Sequence, residues 1–277
     1  MRIAAVQPRS HANEDEHRNV DDALRWMERA SAAAASLIIF PEGYPGPTNP
    51  RNTFDGLSPL RDAARDLSLC VIAGHLAPAG DGTHHVVLSH VDADGSLPYT
   101  YRRTTPEGPY IYQDIPVWAF DYSAADDMPR VTTLAETTVG SLVCSEVYVP
   151  ELSRILALQG AQLLAFPAGG AINELRDSWR TMVRARAIEN LAYSVAVQNL
   201  YDRTDPGVGI IAGPEGDLAT ATGEGLLVAD LDLDRLDWLR REQEKIVFPK
   251  PYATIPGVLE WRRPTLYASL TVDAPEE

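Results

Sequence analysis

The stretch VGSLVCSEVYVPEL, Val139 to Leu152, decides how this chain is read. Its first half closes the apolar run TTVGSLVC and reads as a buried strand. Its second half changes period. Pro150 stands where proline opens a helix, and PELSRILALQG has helical spacing. Cys144 falls at the junction. In sheets covered by helices, the strand ends carry function. Backbone N–H groups and a helix N-terminus at such a place lower a thiol pKa and stabilise an oxyanion. The inert alternative is a cysteine that packs as a small hydrophobe. Cys70, inside LSLCVIAG, has that inert setting.

Outward from this junction the same alternation continues. RIAAVQ (Arg2–Gln7) reads as a strand and NVDDALRWMERASAAA (Asn19–Ala34) as an amphipathic helix, with Val20, Leu24, Trp26 and Met27 on or near its apolar side. SLIIF (Ser36–Phe40) is a short buried strand and PEGYPGP (Pro41–Pro47) a loop. LSPLRDAARDL is a helix, and LCVIAGHL (Leu69–Leu76) is a strand. HHVVLSHVDADG alternates, turns at Asp94–Gly95 and returns through LPYTYRRTT, as a hairpin does. PEGPYIYQDIPVWAFDYSAADDMP reads as a long loop. AQLLAFPA is a strand, Ser178–Ala192 a helix and YSVAVQNL a strand. Further strands joined by turns fill VGIIAGPEGDLATATGEGLLVADLDL, and DRLDWLRREQEK closes as a helix. No internal repeat or linker is visible. Hairpins beside βα units predict a layered α/β domain with mixed sheets.

Composition bounds the function. The 277 residues are 45% hydrophobic and 23% charged, an ordinary globular balance. No apolar run approaches the roughly 20 residues of a membrane span. A formal charge of −15 lacks the basic footprint of a nucleic-acid surface. Two cysteines make no disulfide framework, and MRIAAVQP turns polar too soon for a signal peptide, which together predict a cytoplasmic protein. There is no Cys/His cluster with metal-ligand spacing and no phosphate loop, so no metal and no cofactor are expected. The only lysines are Lys245 and Lys250, so the first 244 residues contain none.

A nucleophilic cysteine needs a base. The six histidines lie at 11, 17, 75, 84, 85 and 90, none in an obvious strand-end motif. Glu42 follows the buried strand LIIF directly, inside a Pro/Gly turn. A carboxylate there is either a solvated loop residue or one that is paired and used.

The segments AAVQP, LIIFPEGY, YRRT, GSLVCSEVYVPELSR, RARAIENLAYSVAVQN and RRPTLY, in this order, resemble the successive landmarks of the nitrilase superfamily, the carbon–nitrogen hydrolases. The resemblance runs from Ile3 to about Tyr267. It implies a four-layer α-β-β-α sandwich with two mixed sheets. It also implies one domain over residues 1–277, with about 268–277 a frayed tail. Such proteins use a Glu–Lys–Cys triad, often with a second glutamate. The resemblance makes Cys144 the nucleophile and Glu42 the general base. Arg103 stands at the lysine position of Tyr101–Arg102–Arg103, the main departure from the pattern. An arginine donates hydrogen bonds in a planar fork but does not titrate near neutral pH. The second carboxylate falls at Asp114, with Glu107 as a rival.

The backbone N–H of Ser145 and the side chain of Arg103 would form the oxyanion hole. Glu146 is expected to be structural, paired with Arg184 or Arg186, and Glu189 and Asn190 are read the same way. Tyr44, Tyr110, Tyr148 and Trp179 are the candidates for substrate contact, with Tyr112 and Trp118 on the same footing. Arg176 and Arg180 either meet a substrate carboxylate or lie on a solvated face. The implied activity is hydrolysis of a small amide or N-carbamoyl compound through a cysteine thioester. The alternatives are acyl transfer to an amine, or a silent scaffold protein motivated by the arginine. A homodimer or larger homo-oligomer is the implied assembly, without nucleic-acid or membrane partners.

Overall fold

The computed structural model describes residues 1–49, 51–79, 83–105, 128–170, 173–202, 204–241 and 262–271. Two six-stranded sheets form its centre. The first contains β1 (Arg2–Gln7), β2 (Leu37–Ile39), β3 (Cys70–Pro78), β4 (His84–Val91), β5 (Tyr99–Arg102) and, from the far end of the chain, β12 (Gly225–Asp230), in the order β12-β1-β2-β3-β4-β5. The second contains β6 (Val131–Leu134), β7 (Thr137–Ser141), β8 (Leu163–Ala168), β9 (Tyr193–Gln198), β10 (Ile210–Gly213) and β11 (Gly216–Thr220), in chain order.

The pairing plan is the same in both sheets. From β12 across to β5, and from β6 across to β11, the steps read antiparallel, parallel, parallel, antiparallel, antiparallel. Each parallel step needs a crossover, and helices supply them. In the first sheet these are α1 (Arg18–Ala32) and α2 (Ser58–Leu67), in the second α3 (Pro150–Leu158) and α4 (Arg176–Asn190). The repeat absent from the sequence is therefore present as topology.

Alternation along the strands explains the layering. Ala4, Val6, Ile38, Phe40, Val71 and Ala73 pack with Ala23 and Met27 of α1 and with Leu60 and Ala64 of α2. The intervening Ile3, Ala5, Leu37, Ile39 and Ile72 join Val139, Leu163, Ala165, Val195 and Ile211 of the second sheet. Leu156 of α3 and Val183 and Ala187 of α4 complete that core. The result is the expected α-β-β-α sandwich.

Two differences from the sequence reading have local causes. Strand β6, between the expected loop and the strand TTVGSLVC, has no reading in the sequence because its turn into β7 uses Ala135 and Glu136, both with left-handed φ (47° and 63°), in place of glycine or asparagine. Between Cys144 and Pro150 lies a 3-10 turn, Cys144–Tyr148, so α3 begins six residues after the cysteine and its N-terminus does not sit on the thiol. Toward the other end of the chain a 3-10 segment spans Pro264–Thr271. α5 (Leu233–Arg241) follows β12.

Candidate active site

The turn after β2 delivers Glu42. Phe40 N donates to Ile72 O at 2.9 Å, continuing the ladder beyond β2, and the chain then bends. Two glycines make room for the bend. A Cβ on Gly74 of β3 would lie 2.2 Å from Gly43 N, and one on Gly169, just past β8, would lie 2.8 Å from Glu42 Oε2. The Glu42 carbonyl accepts a 2.7 Å bond from Asn199 Nδ2, and Asn199 Oδ1 in turn accepts from the Ser10 hydroxyl at 2.7 Å. The second sheet therefore holds the turn that the first sheet makes. Gly169 and Asn199 were missed from sequence. The Gly169–Gly170 pair after an apolar strand is the signal of close approach that was available.

Cys144 follows β7 in the left-handed region, with φ of 51°. Such a conformation costs on the order of 1 kcal/mol for a non-glycine residue and persists only where the surroundings impose it. Other residues of this kind have ordinary reasons. Ser68 and Leu191 cap α2 and α4, and Ala135 and Glu136 make a hairpin turn. Cys144 does none of these things. The sharp bend sets its side chain at a strand end, half-buried. Cys70 faces the space between the sheets, donates to Asp92 Oδ1 at 3.3 Å, and has its thiol pushed up to about 11 by burial first and Asp92 second.

Arg103 ties the two turns together. It follows the edge strand β5, its N–H bonds to Val86 O at 2.9 Å, and its side chain is fully buried. Nη1 donates to Glu42 Oε1 at 2.9 Å, Nη2 to Ser145 Oγ at 2.6 Å, and Nε to Thr105 O at 2.8 Å. Glu42 is itself only 8% exposed. A buried carboxylate is tolerated when a cation meets it with good geometry, and that is the arrangement here. The guanidinium fork thus contacts both the Glu42 carboxylate and the residue after Cys144.

Glu146 is structural, but its partners are not arginines. It is completely buried. Oε2 accepts from Tyr101 Oη at 2.8 Å and Val143 N at 2.7 Å, and Oε1 from Thr104 N and Thr104 Oγ1 at 2.9 Å and Thr105 N at 3.2 Å. One carboxylate therefore ties the approach to Cys144 to the segment carrying Arg103. Arg184 instead pairs with Asp217 through a short bond. Arg186 donates to Val147 O at 3.0 and 2.9 Å and to Glu189 at 2.7 Å, and buried Asn190 caps back onto Arg186 O.

The aromatic candidates separate. Tyr148 is exposed and meets buried Trp179 edge to face at 5.8 Å between centroids. Its hydroxyl is held above the usual phenol range, by burial first and by the charge of Cys144 second. Tyr44 does not join them. It is 1% exposed and stacks on Phe40 in the core beneath α1 and α2. Arg176 lies 3.5 Å from the exposed carboxylate of Asp177 at the surface, whereas Arg180 donates to Ala221 O at 2.5 Å and Gly209 O at 3.4 Å. Asp114, Glu107, Tyr110, Tyr112 and Trp118 lie outside the described residues. Among the described residues no group of three or more His, Cys, Asp or Glu is placed to hold a metal ion, and no helix is long and apolar enough to cross a membrane.

The pattern of the carbon-nitrogen hydrolases matches residues 2–241. The chain belongs to the carbon-nitrogen hydrolase family. Over 306 aligned residues this hydrolase is 26% identical to the N-carbamoylputrescine amidase of Solanum tuberosum, covering 98% of this chain and 95% of that one. It is 27% identical over 290 residues to the deaminated glutathione amidase of Rattus norvegicus, covering 97% and 84%. Among solved structures, an amidase from Nesterenkonia sp. superposes with a TM-score of 0.73 at 27% identity, over 88% of this chain and 94% of its own. The fold and the enzyme class read from sequence agree with these findings.

Proposed function

We propose that this carbon-nitrogen hydrolase cleaves a small amide or N-carbamoyl compound through a thioester on Cys144. The observation that carries the reading is the buried Arg103, with one arm on Glu42 and another on the residue after Cys144. Glu42 takes the thiol proton as Sγ attacks the carbonyl carbon. The oxyanion that forms is met by the N–H of Ser145 and the charge of Arg103. The proton on Glu42 passes to the nitrogen, the C–N bond breaks, and ammonia or an amine leaves. Water then gives its proton to Glu42 and attacks the thioester. The C–S bond breaks and the thiol recovers its proton. Arg103 stays charged throughout and moves no proton. The second carboxylate of this reading is Asp114. Tyr148, Trp179 and Tyr110 flank the substrate.

The rest of the reading is coarser. Residues 1–277 act as one domain, paired into a homodimer or a larger homo-oligomer in the cytoplasm. The direct test incubates the protein and Cys144→Ala with amides, N-carbamoyl amines and nitriles. N-carbamoylputrescine and deaminated glutathione head the panel, because two relatives are named for them. Intact mass and released ammonia are read. A mass adduct with turnover in the parent and none in Cys144→Ala is expected, a rate loss of at least about 10⁴-fold. An adduct that clears only on adding an amine would turn the reading to acyl transfer. No adduct across the panel would end it.

A further inference from the structure

The left-handed bend at Cys144 is held at several points. Leu142 N donates to Ala165 O at 2.9 Å and Val143 N to Glu146 Oε2 at 2.7 Å, which fix the approach. Arg186 grips Val147 O, which fixes the exit. Between these, at the residue next to the nucleophile, the described contact is the one from Arg103 Nη2 to Ser145 Oγ at 2.6 Å. It is made by the same guanidinium that holds Glu42 at 2.9 Å. We propose that the Ser145 hydroxyl is a positioning residue for Cys144, and that it works as a pair with the arginine at 103.

The reason is geometric. A guanidinium presents donors in a rigid planar fork, so two acceptors on different elements are held at a fixed separation. An ammonium is a point charge on a flexible stem and sets no such span. This chain has no lysine before Lys245, so the bridge between base and nucleophile is built from Arg103. The hydroxyl of Ser145 supplies the second acceptor. Without it, the fork still meets Glu42 but no longer holds the peptide that follows Cys144. The N–H of that peptide is the oxyanion donor in the proposed mechanism, and the inference rests on that mechanism. A displacement of about 1 Å at such a place costs on the order of 100-fold in rate.

The test uses the full chain with Ser145→Ala, Ser145→Thr, Arg103→Lys and the Arg103→Lys/Ser145→Ala double variant. Two readouts are taken. One is the rate at which iodoacetamide alkylates Cys144 across a pH series, located by peptide mass. The other is kcat and KM on whichever panel compound turns over. Ser145→Ala is expected to slow both alkylation and kcat by about tenfold or more, the scale of one lost hydrogen bond to a charged group, with KM within about twofold. Ser145→Thr keeps the hydroxyl and is expected to restore most of the rate. In the Arg103→Lys background, Ser145→Ala is expected to add less than about twofold, because the fork it served is gone. Wild-type alkylation and kcat in Ser145→Ala would overturn the proposal, as would an equal loss in both backgrounds. If the parent is alkylated but turns over nothing, the hydrolase reading fails and the alkylation series alone decides the role of Ser145. A parent that neither turns over nor is alkylated sinks both.

Discussion

In each sheet a trio of parallel strands is wound through two helices, β1-α1-β2-α2-β3 in the first and β7-α3-β8-α4-β9 in the second. The ends of these matched strands carry different things. The middle strand of the first trio, β2, leads into Glu42, whereas its counterpart β8 leads into Gly169. The first strand of the second trio, β7, leads into Cys144, whereas its counterpart β1 ends in Gln7. Glu42 and Cys144, the base and nucleophile of the proposed mechanism, therefore sit on non-equivalent ends of a repeated plan. The vacated ends serve them. Gly169 leaves the space that the Glu42 carboxylate fills. Gln7, fully buried, donates to Gly223 O at 2.6 Å and accepts from Gly209 N at 2.8 Å, tying β1 to the segment before β10.

Glu42→Gln breaks this division most severely. The amide keeps the shape of the side chain and one acceptor for Arg103, but it accepts no proton. We expect kcat to fall by about 10² to 10⁴-fold, the usual contribution of a general base. Arg103, with a fully buried side chain, would lose the charge of the Glu42 carboxylate at the same time. That costs on the order of 3 kcal/mol of stability, to be read from urea unfolding midpoints. Unchanged turnover in Glu42→Gln would show that the first sheet contributes no base. Unchanged stability would show that the ion pair is energetically idle.

Gly169→Ala attacks the same carboxylate from the other sheet. Its new Cβ would stand 2.8 Å from Glu42 Oε2, closer than real Cβ contacts allow, and the carboxylate must move. A shift of about 1 Å in a catalytic group costs on the order of 100-fold in rate. Stability should fall by less than in Glu42→Gln, since the charge pair is kept and the end of one side chain absorbs the clash. Steady-state kinetics and a melting curve on the one variant separate the two effects. A variant with normal kcat would mean that the end of β8 is not shaped around Glu42.

Much of this was legible in the sequence because strand ends announce themselves. β1 matches its expected span of Arg2–Gln7, and Glu42 and Cys144 were both singled out as polar or reactive groups directly after apolar runs. Arg103 carried no such local signal and came from its place in an order of landmarks. What could not be read depends on contacts between elements distant in the chain. Glu146 looked like half of an ion pair, yet Tyr101, Thr104 and Thr105 satisfy it from more than forty residues away. Tyr44 looked like a pocket residue because it lies on a loop after a strand, but its ring packs on Phe40 among the residues beneath α1 and α2. β6 lacked the residues that usually mark a hairpin turn.

The smallest expected effect concerns stability and sharpens the comparison away from the site. β4 of the first sheet carries His90, while its counterpart β10 reads IIAG and has no titratable group. His90 is fully buried, its ring is edge-on to Tyr99 at 5.3 Å, and neither ring nitrogen has a hydrogen-bond partner among the described residues. Burial lowers its pKa to about 3. The unfolded chain binds this proton near pH 6.5 and the folded chain does not, so acid favours unfolding. The neutral ring's contribution is complete above about pH 6.5 and is lost as pH falls from there toward 3. At pH 5 the loss is about 2 kcal/mol. His90→Leu, similar in volume, removes that proton. We therefore expect the stability of His90→Leu relative to the parent to improve by about 2 kcal/mol between pH 7.5 and pH 5, whatever its value at neutral pH. Urea midpoints at the two pH values measure this. Equal shifts in both proteins would mean that the ring is protonated inside the fold, and that the first sheet is no more acid-sensitive at this strand than the second.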